Sequence, residues 1–158
     1  IEASKAQSLR ERNVVFLIAG DGPLAGDVDA AQGKSLRWLG SLSKPDVSAL
    51  LQQADVMCLP TRSEGFSTTL LEASACGCPS IVTDVGGARE LIPDASYGTI
   101  IGSMSASDIS KAVTQLTDVP GRANAQGNNS IQWVEETVSW ENSAKHLIAA
   151  FCKAAELH

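Results

Sequence analysis

Two glutamates, Glu64 and Glu72, bracket a run of small, hydroxyl and apolar residues in EGFSTTLLEASACGCPS. Ser67 can cap a helix over 67–77, and Gly77 can end it. At ~1.5 Å rise per residue, Glu72 falls about one turn inside that helix. The N–H groups of Ser67, Thr68, Thr69 and Leu70 are then free. They point out of the helix N-terminus and make a seat for an anion such as phosphate. A carboxylate on each side of that seat cannot be there to bind phosphate, but each can accept hydrogen bonds from hydroxyls. A ligand with hydroxyls on both sides of a phosphate is a nucleotide sugar, ribose on one side and hexose on the other. The plain alternatives are a solvated loop carboxylate for Glu64 and a favourable charge near a helix N-terminus for Glu72. Thr68 and Thr69 could bond phosphate or simply serve the helix start.

The elements around this segment alternate. NVVFLIAG (13–20) is a continuous apolar run ending in Gly, the mark of a strand buried on both faces. A Gly- and Pro-rich turn, GDGPLAGD, follows it. SLRWLG (35–40), DVMCLP (55–60), PSIVTD (79–84) and YGTIIG (97–102) read as further strands. KPDVSALLQQA (44–54) reads as a helix with Pro45 at a first helical position, and GGARELI (86–92) as a short one. Ile109, Val113 and Leu116 make a helical stripe. So do Ile131, Val134 and Val138, and then Trp140, Ala144, Leu147 and Phe151. DVPGRANAQGNN (118–129) reads as a loop running into a helix, and the opening IEASKAQSLRERN as polar and helical. Short apolar strands alternating with helices predict a single α/β domain, Rossmann-like, with a doubly wound parallel sheet. Ligands of such sheets bind beyond the carboxyl ends of the strands. Four of those ends carry special residues: GDGP, LGSLS, LPTRSEGFSTT and TDVGGARE.

The stretch ADVMCLPTRSEGFSTTLLEASACGCPSIVTDVGGARELI resembles the donor-binding domain of retaining glycosyltransferases of the GT-B fold, family 4. That pattern is a Glu, seven residues, a second Glu, a small-residue helix, then G-x-P and GG-x-x-E. Glu64, Glu72, Gly77, Pro79, Gly86, Gly87 and Glu90 stand at those places. FLIAGDGP and SWENSAKHLIAAF also look like the family, so the resemblance covers nearly the whole chain.

The resemblance implies a role for each site residue. Glu64 is the catalytic-site residue contacting the donor sugar's hydroxyls. Backbone N–H groups of Gly65, Phe66, Ser67, Thr68, Thr69 and Leu70 hold sugar and diphosphate oxygens, and Glu72 binds the ribose. Gly40, Ser41 and Leu42 lie against the base. Gly20 and Gly22 line the cleft floor, and Gly86 and Gly87 complete the donor site. It also implies a UDP- or GDP-linked donor, no bound metal, and positioned donors that stabilise charge on the leaving diphosphate. The family's domain usually opens with a further strand and a Gly-rich turn carrying Arg and Lys, and an acceptor domain precedes it. The chain is therefore expected to be the C-terminal half of a GT-B enzyme, inactive alone. Arg62 and Arg89 are not assigned to the basic clamp.

GDGPLA fits the loose dinucleotide pattern, but SLRWLGSLS offers no acidic residue for the ribose. DVD (27–29) follows a turn rather than a strand end and reads as surface charge. Cys76 and Cys78 could be a metal or redox pair, or two small buried residues flanking a helix-ending Gly. The second reading is favoured, because no His or second Cys pair lies nearby. His146 and His158 have no evident catalytic partner, Trp140 reads as a packing anchor and Trp38 as core. A net charge of −6 argues against nucleic acid. Four cysteines in 158 residues fit a reducing cytoplasm better than a disulfide scaffold. No apolar run reaches the ~18 residues of a membrane span. A parent enzyme at the inner face of a membrane, and self-association through exposed apolar surface, stay open at this point.

Overall fold

The computed structural model describes residues 1–155. A 3₁₀ turn (Glu2–Lys5) and a short helix α1 (Gln7–Arg10) open the chain. Then come β1 (Phe16–Ala19), α2 (Ala25–Ala30), β2 (Leu36–Gly40), α3 (Lys44–Gln53), β3 (Met57–Leu59), α4 (Thr68–Ala75), β4 (Ser80–Thr83), α5 (Ala88–Leu91) and β5 (Thr99–Ile101). Three helices close it: α6 (Ala106–Thr117), α7 (Arg122–Thr137) and α8 (Trp140–Ala155). None is long and apolar enough to cross a membrane. His158 lies outside the described residues.

Among the described residues the pairings between strands are parallel, as the apolar runs predict, and one isolated antiparallel bridge joins Gly33 to Leu36. The strands form two ladders rather than one sheet: β1 with β2, and β3–β4–β5. The centre of burial is β4, whose four residues are all buried. Ile81 packs into one layer with Leu9, Ile101, Ile109, Val113 and Leu116. Val82 packs into the opposite layer with Leu51, Leu70, Ala73, Leu91 and Ile92. Burying each such side chain stabilises the fold by about 1.5–3 kcal/mol. β1 is not the doubly buried strand that its apolar run predicts. Phe16 and Ile18 are half-buried, but Val15 and Leu17 are 44% and 45% exposed, so one face is open.

Two further expectations are corrected. Residues 122–129 are helical, not loop: α7 starts at Arg122. Its sequence is poor in helix formers, and tertiary contacts override that. Gln126 is almost fully buried and donates from Nε2 to Ala95 O (2.9 Å) and Gly98 O (3.2 Å). Ser130 Oγ donates to Tyr97 O (2.6 Å), and Trp133 Nε1 to Glu90 O (2.8 Å). Gly127 lets α7 lie directly on the Gly77 carbonyl, which any side chain would strike. Trp140 is not a packing anchor. It is 93% exposed, and Leu147, Ile148 and Phe151 of α8 are exposed with it. The α8 stripe has no partner among the described residues, which is why its helical period gave no burial.

Candidate functional site

The segment between the two glutamates folds as its residues require. β3 stops at Leu59 because Pro60 has no N–H to continue the ladder. Seven residues later Ser67 caps α4, its Oγ accepting from Leu70 N at 3.3 Å. Gly77, at φ +69°, ends the helix as expected. Leu70 and Ala73 anchor the buried side of α4, while Thr68, Thr69 and Glu72 stay exposed.

The N-terminal seat is therefore built, with one correction. The Leu70 amide is engaged by Ser67, and its side chain is core, so it is not a free donor. The amides of Gly65, Phe66, Ser67, Thr68 and Thr69 have no protein acceptor among the described residues. These five consecutive donors lie between the exposed carboxylates of Glu64 and Glu72. Such a row binds oxyanions and hydroxyl oxygens.

A second loop, after β4, closes onto the first. Gly87 N donates to Gly65 O at 2.8 Å, so Gly87 is engaged and not a free donor either. Gly86 adopts φ +53°, and a Cβ there would drive into the carbonyls of Gly65 and Glu64. A Cβ on Gly87 would sit 2.7 Å from the Phe66 ring. The glycine pair thus permits loop-on-loop contact. At the base of the two loops, Thr83 Oγ1 donates to Thr61 O (2.6 Å) and accepts from Thr61 N (3.1 Å). In the sequence Thr83 shows only as a hydroxyl at the end of PSIVT.

The first ladder brings its own glycines together. Gly20 N donates to Gly40 O (2.7 Å), and Trp38 Nε1 to Gly20 O (2.9 Å). Trp38 is half-buried, in keeping with a structural role. Ser41 is exposed and Leu42 half-buried just beyond the Gly40 turn. The Gly22 amide is taken by the Asp21 carboxylate at 2.7 Å, which puts negative charge where a dinucleotide's pyrophosphate would sit. No hydrogen bond joins this glycine group to the Glu64–Glu72 group among the described residues.

Basic residues do not form a clamp here. Arg89 is held by Asp84 through Nε and Nη2 (2.6–3.1 Å), and that partner raises its pKa further. Arg62 is exposed and makes no ion pair among the described residues. The DVD motif lies on α2, where Asp29 accepts from Gln32 Nε2. His146 is exposed on α8.

Cys58, Cys76 and Cys78 are packing residues, whereas Cys152 is exposed. All four are free thiols, and Cys78 is buried among Leu51, Met57 and Leu70. Burial pushes the thiols of Cys58 and Cys78 up to about 11. Both therefore stay protonated and unreactive at neutral pH. A thiol reagent at pH 7.5 should modify exposed Cys152 first and leave Cys58 and Cys78 unmodified until the chain unfolds, as peptide mapping will report. These raised values also set a pH trend. Between about pH 9 and 11 the unfolded chain releases thiol protons that the folded chain keeps, so stability falls as pH rises through that window.

Comparison with known proteins decides the family. Residues 1–133 match the family model of glycosyl transferases group 1. The chain belongs to the group 1 glycosyltransferases. A D-inositol 3-phosphate glycosyltransferase of Kribbella flavida is 27% identical over 157 residues, covering 94% of this chain and 37% of that protein. The group 1 chain thus spans less than half the length of that relative. HepE of Anabaena, solved in complex with UDP and glucose, superposes with a TM-score of 0.73 at 17% identity, over 94% of this chain and 44% of that one. The C-terminal domain of the group 1 protein LpcC from Francisella tularensis gives 0.65 at 14% identity, over 85% of this chain and 92% of that one. The fold is the α/β fold of GT-B glycosyltransferases.

Proposed function

We propose that this group 1 chain is the donor-binding half of a retaining, family 4 glycosyltransferase. It would hold a UDP- or GDP-linked sugar for transfer to a glycan, lipid or small-molecule acceptor, as in polysaccharide biosynthesis, on the cytoplasmic side. One observation carries this reading: five amides, Gly65 to Thr69, without a protein acceptor among the described residues, between two exposed carboxylates at a strand end. The amides take the diphosphate and sugar oxygens, Glu64 the sugar hydroxyls and Glu72 the ribose hydroxyls. Amide donors at the leaving diphosphate stabilise the charge that builds there, with no metal required. Gly20, Gly22, Gly40, Ser41 and Leu42 form the opposite wall, toward the base. HepE, bound to UDP and glucose, supports this choice of ligand class by its likeness of fold.

The topology supports reading the domain as one strand short. Leu36, buried, and Phe16, half-buried, stand on one face of β1–β2, while Leu17 and Leu39 stand exposed on the other, and α2 contacts β2. Phe16 shares that layer with α1 and α6, whereas α4 lies in the opposite layer. Right-handed crossovers on opposite faces make the two ladders step in opposite directions. On this reading β1 and β3 would flank the switch point, with a further strand between them. A strand preceding α1 would enter there by the same rule and bring a basic turn to the diphosphate. The acceptor domain would come from the rest of the protein, and the chain alone would transfer no sugar.

A nicotinamide dinucleotide reading is weakened by Asp21 on the Gly22 amide. The exposed apolar stripe of α8 favours a second reading, an interaction module that pairs with itself or with an acceptor domain. Thermal unfolding separates them. A nucleotide sugar at about ten times its Kd should raise the melting temperature by about 3–6 °C. A rise with NAD instead, or none with UDP-, GDP- or ADP-sugars, would overturn the donor-site reading.

A further inference from the structure

The β3–α4 loop carries Glu64, yet Glu64 itself has no hydrogen-bonded side-chain partner among the described residues. Something else must fix the loop if the carboxylate is to meet a ligand in one geometry. The ladder between β3 and β4 ends at the Leu59–Val82 pair. Pro60 has no N–H to extend it. The next amide, Thr61, is shared between Leu59 O across the proline (3.1 Å) and a side chain of β4: Thr83 Oγ1 accepts from Thr61 N at 3.1 Å and donates to Thr61 O at 2.6 Å. Thr83 is only 6% exposed, so water does not compete freely for either bond. The loop then runs through Thr61 Oγ1 to Ser63 O (3.1 Å) and is caught again where Gly87 donates to Gly65 O (2.8 Å). Glu64 lies between the two catches.

We propose that Thr83 is the positioning residue of the donor loop, a side-chain extension of the β3–β4 ladder that holds Glu64 and the Gly65–Thr69 amides in register with β4. Its effect on ligand rests on the donor-site reading above; its effect on the loop does not. A hydroxyl is the one neutral group of this size that donates and accepts at once. Serine keeps both bonds. Valine fills the space and loses both, leaving Thr61 C=O unpaired in a confined place and Thr61 N–H with only the Leu59 carbonyl across Pro60.

The test is residue-resolved amide exchange and chemical shift on the chain and its variants T83V and T83S, without ligand and then with UDP- and GDP-sugars. In T83V, Thr61 exchange should quicken about tenfold or more, with shift changes running from Thr61 to Phe66 and into Gly87. The slowest core amides of β4 and α4 should keep their rates, and T83S should match the parent. Where the parent binds a nucleotide sugar, T83V should bind it about tenfold more weakly and T83S equally well. Unchanged Thr61 exchange in T83V would overturn the proposal. So would loosening spread evenly through β4 and α4, which marks a plain loss of stability. A parent that binds no nucleotide sugar would sink the functional reading while the exchange data still decide the role of Thr83.

Discussion

Replacing Gly86 by alanine should cost about 2–4 kcal/mol of stability and remove nucleotide-sugar binding. Two terms act together. The residue sits at φ +53°, where an L side chain is strained. Its Cβ would also drive into the carbonyls of Gly65 and Glu64, and backbone cannot rotate away as a flexible side chain can. Relief requires the β3–α4 and β4–α5 loops to part. That breaks the Gly87–Gly65 hydrogen bond and shifts the amides proposed to hold the diphosphate. Gly102→Ala is the matched control, since a Cβ there meets nothing within 4 Å. Chemical denaturation of both variants, with binding measured on whatever remains folded, checks the pair.

The glutamates should behave in the opposite way, with large effects on ligand and small ones on stability. Both are exposed, and neither makes an ion pair among the described residues. Truncating either to alanine should leave unfolding within about 0.5 kcal/mol of the parent. Each charge-assisted hydrogen bond to a hydroxyl is worth about 1.5–3 kcal/mol, so binding should weaken by about ten- to a hundredfold. The two differ in which ligand they lose. Glu72→Ala should weaken UDP and UDP-sugar alike, because the ribose is common to both. Glu64→Ala should weaken only the sugar nucleotide. Calorimetric titration with both ligands would show this crossed pattern, and equal losses for both variants would reject the assignment of sides.

Much of this site is local, and local features are legible in sequence. Ser67 as cap, Gly77 as stop and Pro60 as strand end each act within a few residues. Parallel strand order follows from the alternation of elements. The unread parts are those made by distant chain. Nothing near Leu70 says that its amide belongs to Ser67 rather than to a ligand. Gly86 and Gly87 stand out as a pair, but only the fold shows them packed against Gly65 and Phe66. Thr83 looks like any strand-ending threonine until Thr61 is beside it. The start of α7 reads as loop because Gly127 and its asparagine neighbours disfavour a helix. Its hydrogen bonds to the segment before β5 outweigh that preference. Trp140 and the α8 stripe show the reverse error, since a helical period says that a face is apolar, not that anything covers it.

The most direct test of the donor-site account is a two-dimensional NMR titration of the chain with UDP-, GDP- and ADP-sugars, and with NAD, up to millimolar ligand. One nucleotide sugar should shift the amides of Gly65 to Thr69 most, with Glu64, Glu72 and Gly86–Gly87 following, and NAD should not. A folded chain whose amides ignore every nucleotide sugar, or that responds to NAD around Gly20 to Ala25, would contradict it.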